Sequence, residues 1–282
     1  MIPSHSIVGE ERAERLCFLT HGALGAAHNL RAFARRVVAK RPDFKIALVD
    51  LRLHGKSPPA DPPHNIAACV RDFENLANEL GQPELMIGHS LGGKVALAYG
   101  QAYAEHQGSS LSDTPLRQVW ALDSDPGKQV ALESHEVLTV LKAASSLCPP
   151  FPSRAYVVDT LLAAGLTSGI ANWLSTNVER NGDTFTWRFD EQALRELLSD
   201  YFSLDLWPFL ETLGERRPHT PEFHLVVAEH SDRWSGTMRA RAEELAPTSA
   251  HLRLHHLPES GHWVHVDNPE GLLDILIQQW PE

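Results

Sequence analysis

The chain has 282 residues, 43% of them hydrophobic, enough to bury one large core with an accessory segment. Its 25 basic and 36 acidic residues leave a net charge of −11, which argues against nucleic acid and anionic membrane surfaces as partners. Cys17, Cys69 and Cys148 are too few and too scattered for a disulfide framework or a zinc site; they read as reduced thiols in a cytoplasmic protein without a visible signal peptide or membrane span.

Strand-like apolar runs alternate with helix-patterned stretches along the first half. In order these are strand Leu16–Thr20, helix His28–Lys40, strand Lys45–Asp50, helix Asn65–Leu80, strand Leu85–Gly88, helix Gly92–Glu105 and strand Gln118–Asp123. From about Gly127 to Glu215 the alternation stops. Helices are expected over Gln129–Ser145, Ser153–Ala164, Ser168–Glu179 and Glu191–Phe202, with Pro149-Pro150, Pro152 and Asn181-Gly182 as punctuation. The alternation resumes with strand Phe223–Ala228, helix Thr237–Ala246, strand Leu252–Leu257 and helix Pro269–Trp280. This pattern implies an α/β fold with a mostly parallel sheet covered by helices on both faces. No internal repeat or low-complexity tract appears.

The most informative motif is Gly88-His89-Ser90-Leu91-Gly92, set between a strand and a helix. A G-x-S-x-G in that context is a nucleophile elbow: the turn is strained, glycines let strand and helix pass closely, and the serine projects at the positive end of the next helix. A serine hydroxyl needs a base, a group to orient that base, and donors for a developing oxyanion. His262, in Glu259-Ser260-Gly261-His262-Trp263, follows the last strand and is the base candidate. The Leu91 N–H and the Ala23 N–H, in the turn His21-Gly22-Ala23-Leu24-Gly25, are the oxyanion donors. Sixteen histidines raise the question of metal, yet there is no H-E-x-x-H and no ligand set with supporting carboxylates, so neither metal nor cofactor is expected.

With these motifs in this order, the chain resembles the α/β-hydrolases. The likeness rests on His21-Gly22, the segment Asp50-Leu51-Arg52-Leu53-His54-Gly55-Lys56-Ser57, the elbow and Gly261-His262. Asn29, Asp123-Ser124-Asp125-Pro126, Asn181-Gly182 with Trp187-Arg188, and His262-Trp263-Val264-His265 make it similar to the small bacterial and mitochondrial-type esterases of that superfamily. The resemblance implies a core of residues 1–126 and 216–282, with a helical cap of residues 127–215 inserted after the family's sixth strand. It leaves only Ser4–Glu11 for the leading edge of the sheet. Asp50, Arg52, His54 and Ser57 correspond to a structural turn, where such groups bond to backbone and to each other. Of the cap aromatics Phe151, Tyr156, Trp173, Trp187, Tyr201, Phe202, Trp207 and Phe209, most are expected in the cap core and a few along an apolar pocket.

The family's acid follows one of two strands. Asp123 ends the strand Gln118–Asp123. After Phe223–Ala228, the family position aligns with Ser231, and Asp232 stands one place late. The esterase resemblance favours Asp123, with Asp232 the alternative and Asp125 and Glu229 lesser candidates. The implied activity is cofactor-free hydrolysis of small-molecule carboxylic esters with small to medium acyl chains, through an acyl-enzyme. Two alternatives remain: a carbon–carbon bond hydrolase of the meta-cleavage-product type, which needs pocket cations such as Arg154, Arg180 or Arg188, and a slow-turnover ligand-binding receptor. Dehalogenases and epoxide hydrolases need a carboxylate where Ser90 stands.

Overall fold

The structure, a computed structural model, describes residues 1–106, 115–129, 136–215 and 220–282. Its strands and helices follow the apolar periodicity of the sequence. The first half comprises β1 (His5–Val8), β2 (Arg15–Thr20), α1 (Arg31–Lys40), β3 (Phe44–Val49), α2 (Ile66–Leu80), β4 (Leu85–His89), α3 (Leu91–His106) and β5 (Gln118–Leu122). After β5 come α4 (Glu136–Ser145), α5 (Arg154–Ala163), α6 (Ser168–Ser175), β6 (Val178–Asn181), β7 (Thr184–Trp187), α7 (Glu191–Ser203) and α8 (Trp207–Glu211). The chain then returns through β8 (Glu222–Ala228), α9 (Gly236–Leu245), β9 (Leu252–Leu257), α10 (Val264–Asp267) and α11 (Pro269–Gln279).

Among the described residues the main sheet has seven strands in the order β1-β3-β2-β4-β5-β8-β9. Only β1 runs antiparallel, against β3, so the leading edge is one short strand. All other pairings are parallel. Alternation along each strand splits the core into two layers. Phe18, Met86, Val119, Ala121 and Leu225 face one layer, which continues into the insertion; Cys17, Leu19, Ile87, Trp120 and Val226 face the other. Cys17 is therefore a fully buried packing residue.

The segment between β5 and β8 differs from the expected helices in two described places: it adds the short α8, and its third helix is cut short. Helix Ser168–Glu179 stops at Ser175, and Val178–Trp187 forms an antiparallel hairpin whose turn carries Gly182 at φ +60°. An Asn-Gly turn needs that left-handed geometry, which glycine adopts without steric cost. The expected helix Gln129–Ser145 is described from Glu136 onward; residues 130–135, and residues 216–219 at the expected boundary, lie outside the described residues. The insertion is tied to the core near its ends. Lys94 on α3 is fully buried, and its ammonium donates to the carbonyls of Gly127 (2.7 Å), Tyr201 (2.9 Å) and Leu204 (3.1 Å). The Asp200 carboxylate accepts the Ile66 N–H at the start of α2 (2.7 Å).

Candidate active site

Ser90 sits in the turn between β4 and α3 at φ +54°. A non-glycine residue held there costs about 1–3 kcal/mol and persists only where its surroundings enforce it. Here the Ser90 N–H donates to Leu122 O on the neighbouring strand, and Ser90 O accepts from Gly93 N and Lys94 N. The flanking glycines are sterically required. A Cβ on Gly88 would lie 1.9 Å from Gly92 O, and one on Gly92 would lie 2.5 Å from His21 O.

His262 stands on the loop between β9 and α10. Its Nδ1 lies 2.7 Å from Asp123 Oδ2. Asp123 is fully buried and also strained, at φ +46°. The same Oδ2 accepts the Ser231 hydroxyl at 2.5 Å, and Oδ1 accepts the Ala228 N–H at 3.2 Å. Burial pushes the Asp123 carboxyl up to about 6, against the opposing pull of the Ser231 and Ala228 hydrogen bonds. A carboxylate at Nδ1 fixes that nitrogen as the N–H, so Nε2 carries the lone pair.

The other acid candidates point elsewhere. Asp232 is 79% exposed at its side chain and pairs with Arg233 at 3.4 Å. Asp125 is buried and accepts the Gly127 N–H at 2.6 Å. Glu229 is exposed and accepts the Glu259 N–H. Ser231, the residue aligned with the family's other acid position, donates to Asp123.

The turn 21–25 lies against the elbow: a Cβ on Gly22 would be 3.0 Å from Ser90 Cβ. Two buried imidazoles hold this turn. His21 donates from Nδ1 to Gly22 O and accepts the Leu51 N–H at Nε2. His54 donates from Nδ1 to Arg52 O and accepts the Leu24 N–H at Nε2. Each bonding pattern requires a neutral ring, and burial lowers both pKa values, that of His54 to about 3. Asn177 of the insertion donates to Leu24 O at 2.8 Å. Leu91 opens α3, so its N–H belongs to the helical first turn and lacks an intrahelical acceptor.

Ser90, His262, Ala23 and Leu91 line one cavity of about 50 Å³. Val137, Val140, Trp173, Leu198 and Tyr201, from the segment between β5 and β8, line its other side. Of the eight aromatics named between Phe151 and Phe209, Trp173 and Tyr201 line the pocket. Arg154 and Arg180 instead donate to backbone at Val178 and Gly182, and Arg188 pairs with Glu179. Arg233 also lines the cavity. Its place there depends on how the loop after β8 folds, which no local pattern in the sequence signals. Among the described residues no group of three or more His, Cys, Asp or Glu is placed to hold a metal ion, and no helix is long and apolar enough to cross a membrane.

Comparison with known proteins places this geometry in a wider group. A model described as the alpha/beta hydrolase family matches residues 17–275. The mouse (Mus musculus) protein named sn-1-specific diacylglycerol lipase ABHD11 is 24% identical over 271 residues, covering 95% of this chain and 81% of that protein. Esterase YbfF of Escherichia coli is 24% identical over 264 residues, covering 92% and 90%. Among solved structures, one described as a marine microorganism esterase superposes with a TM-score of 0.77 at 21% identity, covering 98% of each chain.

Proposed function

The chain belongs to the alpha/beta hydrolase family, and from that premise we propose that it is a serine esterase. Ser90 attacks the ester carbonyl. His262 Nε2 takes the hydroxyl proton and delivers it to the leaving alcohol, while Asp123 holds the Nδ1–H and stabilises the imidazolium. The Leu91 and Ala23 N–H groups receive the oxyanion. Water, deprotonated by His262, then releases the acid from the acyl-enzyme. The observation that carries the reading is the 2.7 Å contact between His262 Nδ1 and the buried Asp123, on a cavity that Ser90 also lines.

We assign residues 127–215 as the cap and the remainder as the core, because the cavity draws residues from both. Its small volume and apolar lining suit a small to medium acyl group. The names of two relatives, an esterase and a diacylglycerol lipase, support ester hydrolysis in general. The carbon–carbon bond alternative loses the arginines it called on, since Arg154, Arg180 and Arg188 bond elsewhere. The cavity-lining Arg233 is the feature that still favours it.

Fluorophosphonate labelling with p-nitrophenyl acetate and butyrate turnover tests the reading. The native protein should label and turn over both esters. Ser90→Ala should do neither, with a loss on the order of 10⁶-fold. Labelling without turnover would mark a receptor, and substantial activity in Ser90→Ala would mean the nucleophile is elsewhere.

A further inference from the structure

The residue before the nucleophile is a buried histidine. His89 is 2% exposed at the end of β4, and its Nε2 lies 2.7 Å from the backbone carbonyl of His262. A carbonyl only accepts, so Nε2 is the protonated nitrogen of His89. The contact joins two loops that are 173 residues apart in sequence, one bearing Ser90 and the other His262.

The ring is also packed on several sides. Its centroid lies 4.7 Å from that of His262, 5.9 Å from Trp263 and 5.2 Å from His265. On another side, Nδ1 would be 3.3 Å from a Cβ on Gly22, so the imidazole also borders the turn that carries Ala23. One side chain thus touches the loops of nucleophile, base and oxyanion donor. Burial, together with the neighbouring His262 and His265, drives its pKa well below the usual value. A neutral ring in this position does not oppose a positive charge on His262.

We propose that His89 is a positioning residue for the reaction: its Nε2–H holds the His262 carbonyl and thereby fixes the imidazole in register with Ser90. The inference rests on the esterase reading above. The requirement is strict because a misplacement of about 1 Å in a reacting group can cost about 10²-fold in rate. His262 has a carboxylate to orient its ring, but its loop must also be held at the right height over the elbow. The His89 contact ties the His262 backbone to the nucleophile's own strand.

A packing role and a hydrogen-bonding role predict opposite results for two substitutions. His89→Phe keeps an aromatic ring and removes the donor. His89→Gln removes the ring and places an amide N–H near the position of Nε2. Turnover per active site, titrated with fluorophosphonate, is measured for both variants, with thermal melting in parallel. The proposal expects kcat in His89→Phe to fall about 10- to 100-fold with KM within about twofold. It expects His89→Gln to recover to within about fivefold of the native kcat, whatever its melting temperature. Native kcat per site in His89→Phe, or a kcat in His89→Gln no better than in His89→Phe, overturns it. Ser90→Ala runs alongside: an active Ser90→Ala refutes Ser90 as the nucleophile and with it the site reading on which the inference rests, whereas an inactive Ser90→Ala with a native-like His89→Phe refutes only the role of His89.

Discussion

The turn after β3 and the cluster formed by the loops after β4, β5 and β9 use similar residues to opposite ends. In the first, Asp50 accepts the Ala27 and Lys56 N–H groups, Ser57 donates to Asp50 O, and Arg52 closes on Asp72 through two bonds of 2.7 and 3.1 Å. In the second, His262 and Ser231 both engage Asp123, and the imidazole opens on the cavity that Ser90 lines. Polar groups closed onto backbone or a buried ion pair stabilise a conformation. A chain of side chains that ends on a cavity stays available for proton transfer. The difference is one of partners rather than of residue type, which is why composition alone does not separate the two regions.

After removal of Ser90 itself, exchanging one carboxylate in the second region should give the largest effect. Asp123→Asn leaves the imidazole free to adopt the wrong tautomer, a change that costs about 10⁴-fold in turnover in a serine protease. The exposed Asp232→Asn should cost less than about tenfold, measured as kcat on p-nitrophenyl butyrate. Stability should not follow activity. Because burial raises the folded Asp123 pKa from the ordinary 3.8 to about 6, ionisation of this carboxyl opposes folding. The penalty is absent below about pH 3.8, grows between there and 6, and is complete above 6. Asp123→Asn removes it, so its melting temperature at pH 8 should equal or exceed that of the native protein. A large loss confined to Asp232→Asn would transfer the acid to the loop after β8.

The reverse dissociation is expected in the turn after β3. Arg52→Ala leaves the Asp72 carboxylate, 3% exposed, without its guanidinium partner and with the Met1 ammonium, 3.0 Å away, as its remaining cation. Breaking a buried pair from one side costs about 3–5 kcal/mol. For a chain of this size the melting temperature should fall by roughly 10 °C, while kcat per titrated active site stays within about threefold. A collapse of kcat in properly folded Arg52→Ala would erase the distinction between the two regions.

The strands and the paired motifs were legible because they are local. The apolar runs Leu16–Thr20 and Phe223–Ala228, and the glycines around Ser90, need no tertiary context. The hairpin Val178–Trp187 escaped because its four-residue strands are half-buried or exposed along most of their length, so no two-residue period stands out beside Asn181-Gly182. The acid was ambiguous because Asp123 and Asp232 both follow strands, and only burial distinguishes them. Ser231, which looked like a vacant acid position, is a donor to the carboxylate across the sheet. Trp173, Tyr201 and Arg233 reach the cavity through the folding of the insertion and of the loop after β8, which local patterns do not encode.

Ser231 offers the finest test, because it modifies the second region without dismantling it. Its hydroxyl donates to the same Asp123 oxygen that faces His262, and that bond lowers a carboxyl pKa which burial raises. The native enzyme should gain activity with rising pH across an apparent midpoint near 6, as Asp123 ionises and becomes able to hold the His262 Nδ1–H; the midpoint belongs to the interacting pair. Ser231→Ala removes a hydrogen bond made to the ionised form. Losing roughly 1.4 kcal/mol of that stabilisation moves the midpoint upward by about one unit. The plateau at high pH should fall by less than about fivefold, since Asp123 is then ionised in both proteins. A pH–kcat/KM profile of the two settles the matter. An unchanged acid limb in Ser231→Ala would mean that Asp123 does not control it, and a downward shift would mean that the hydroxyl stabilises the neutral acid instead.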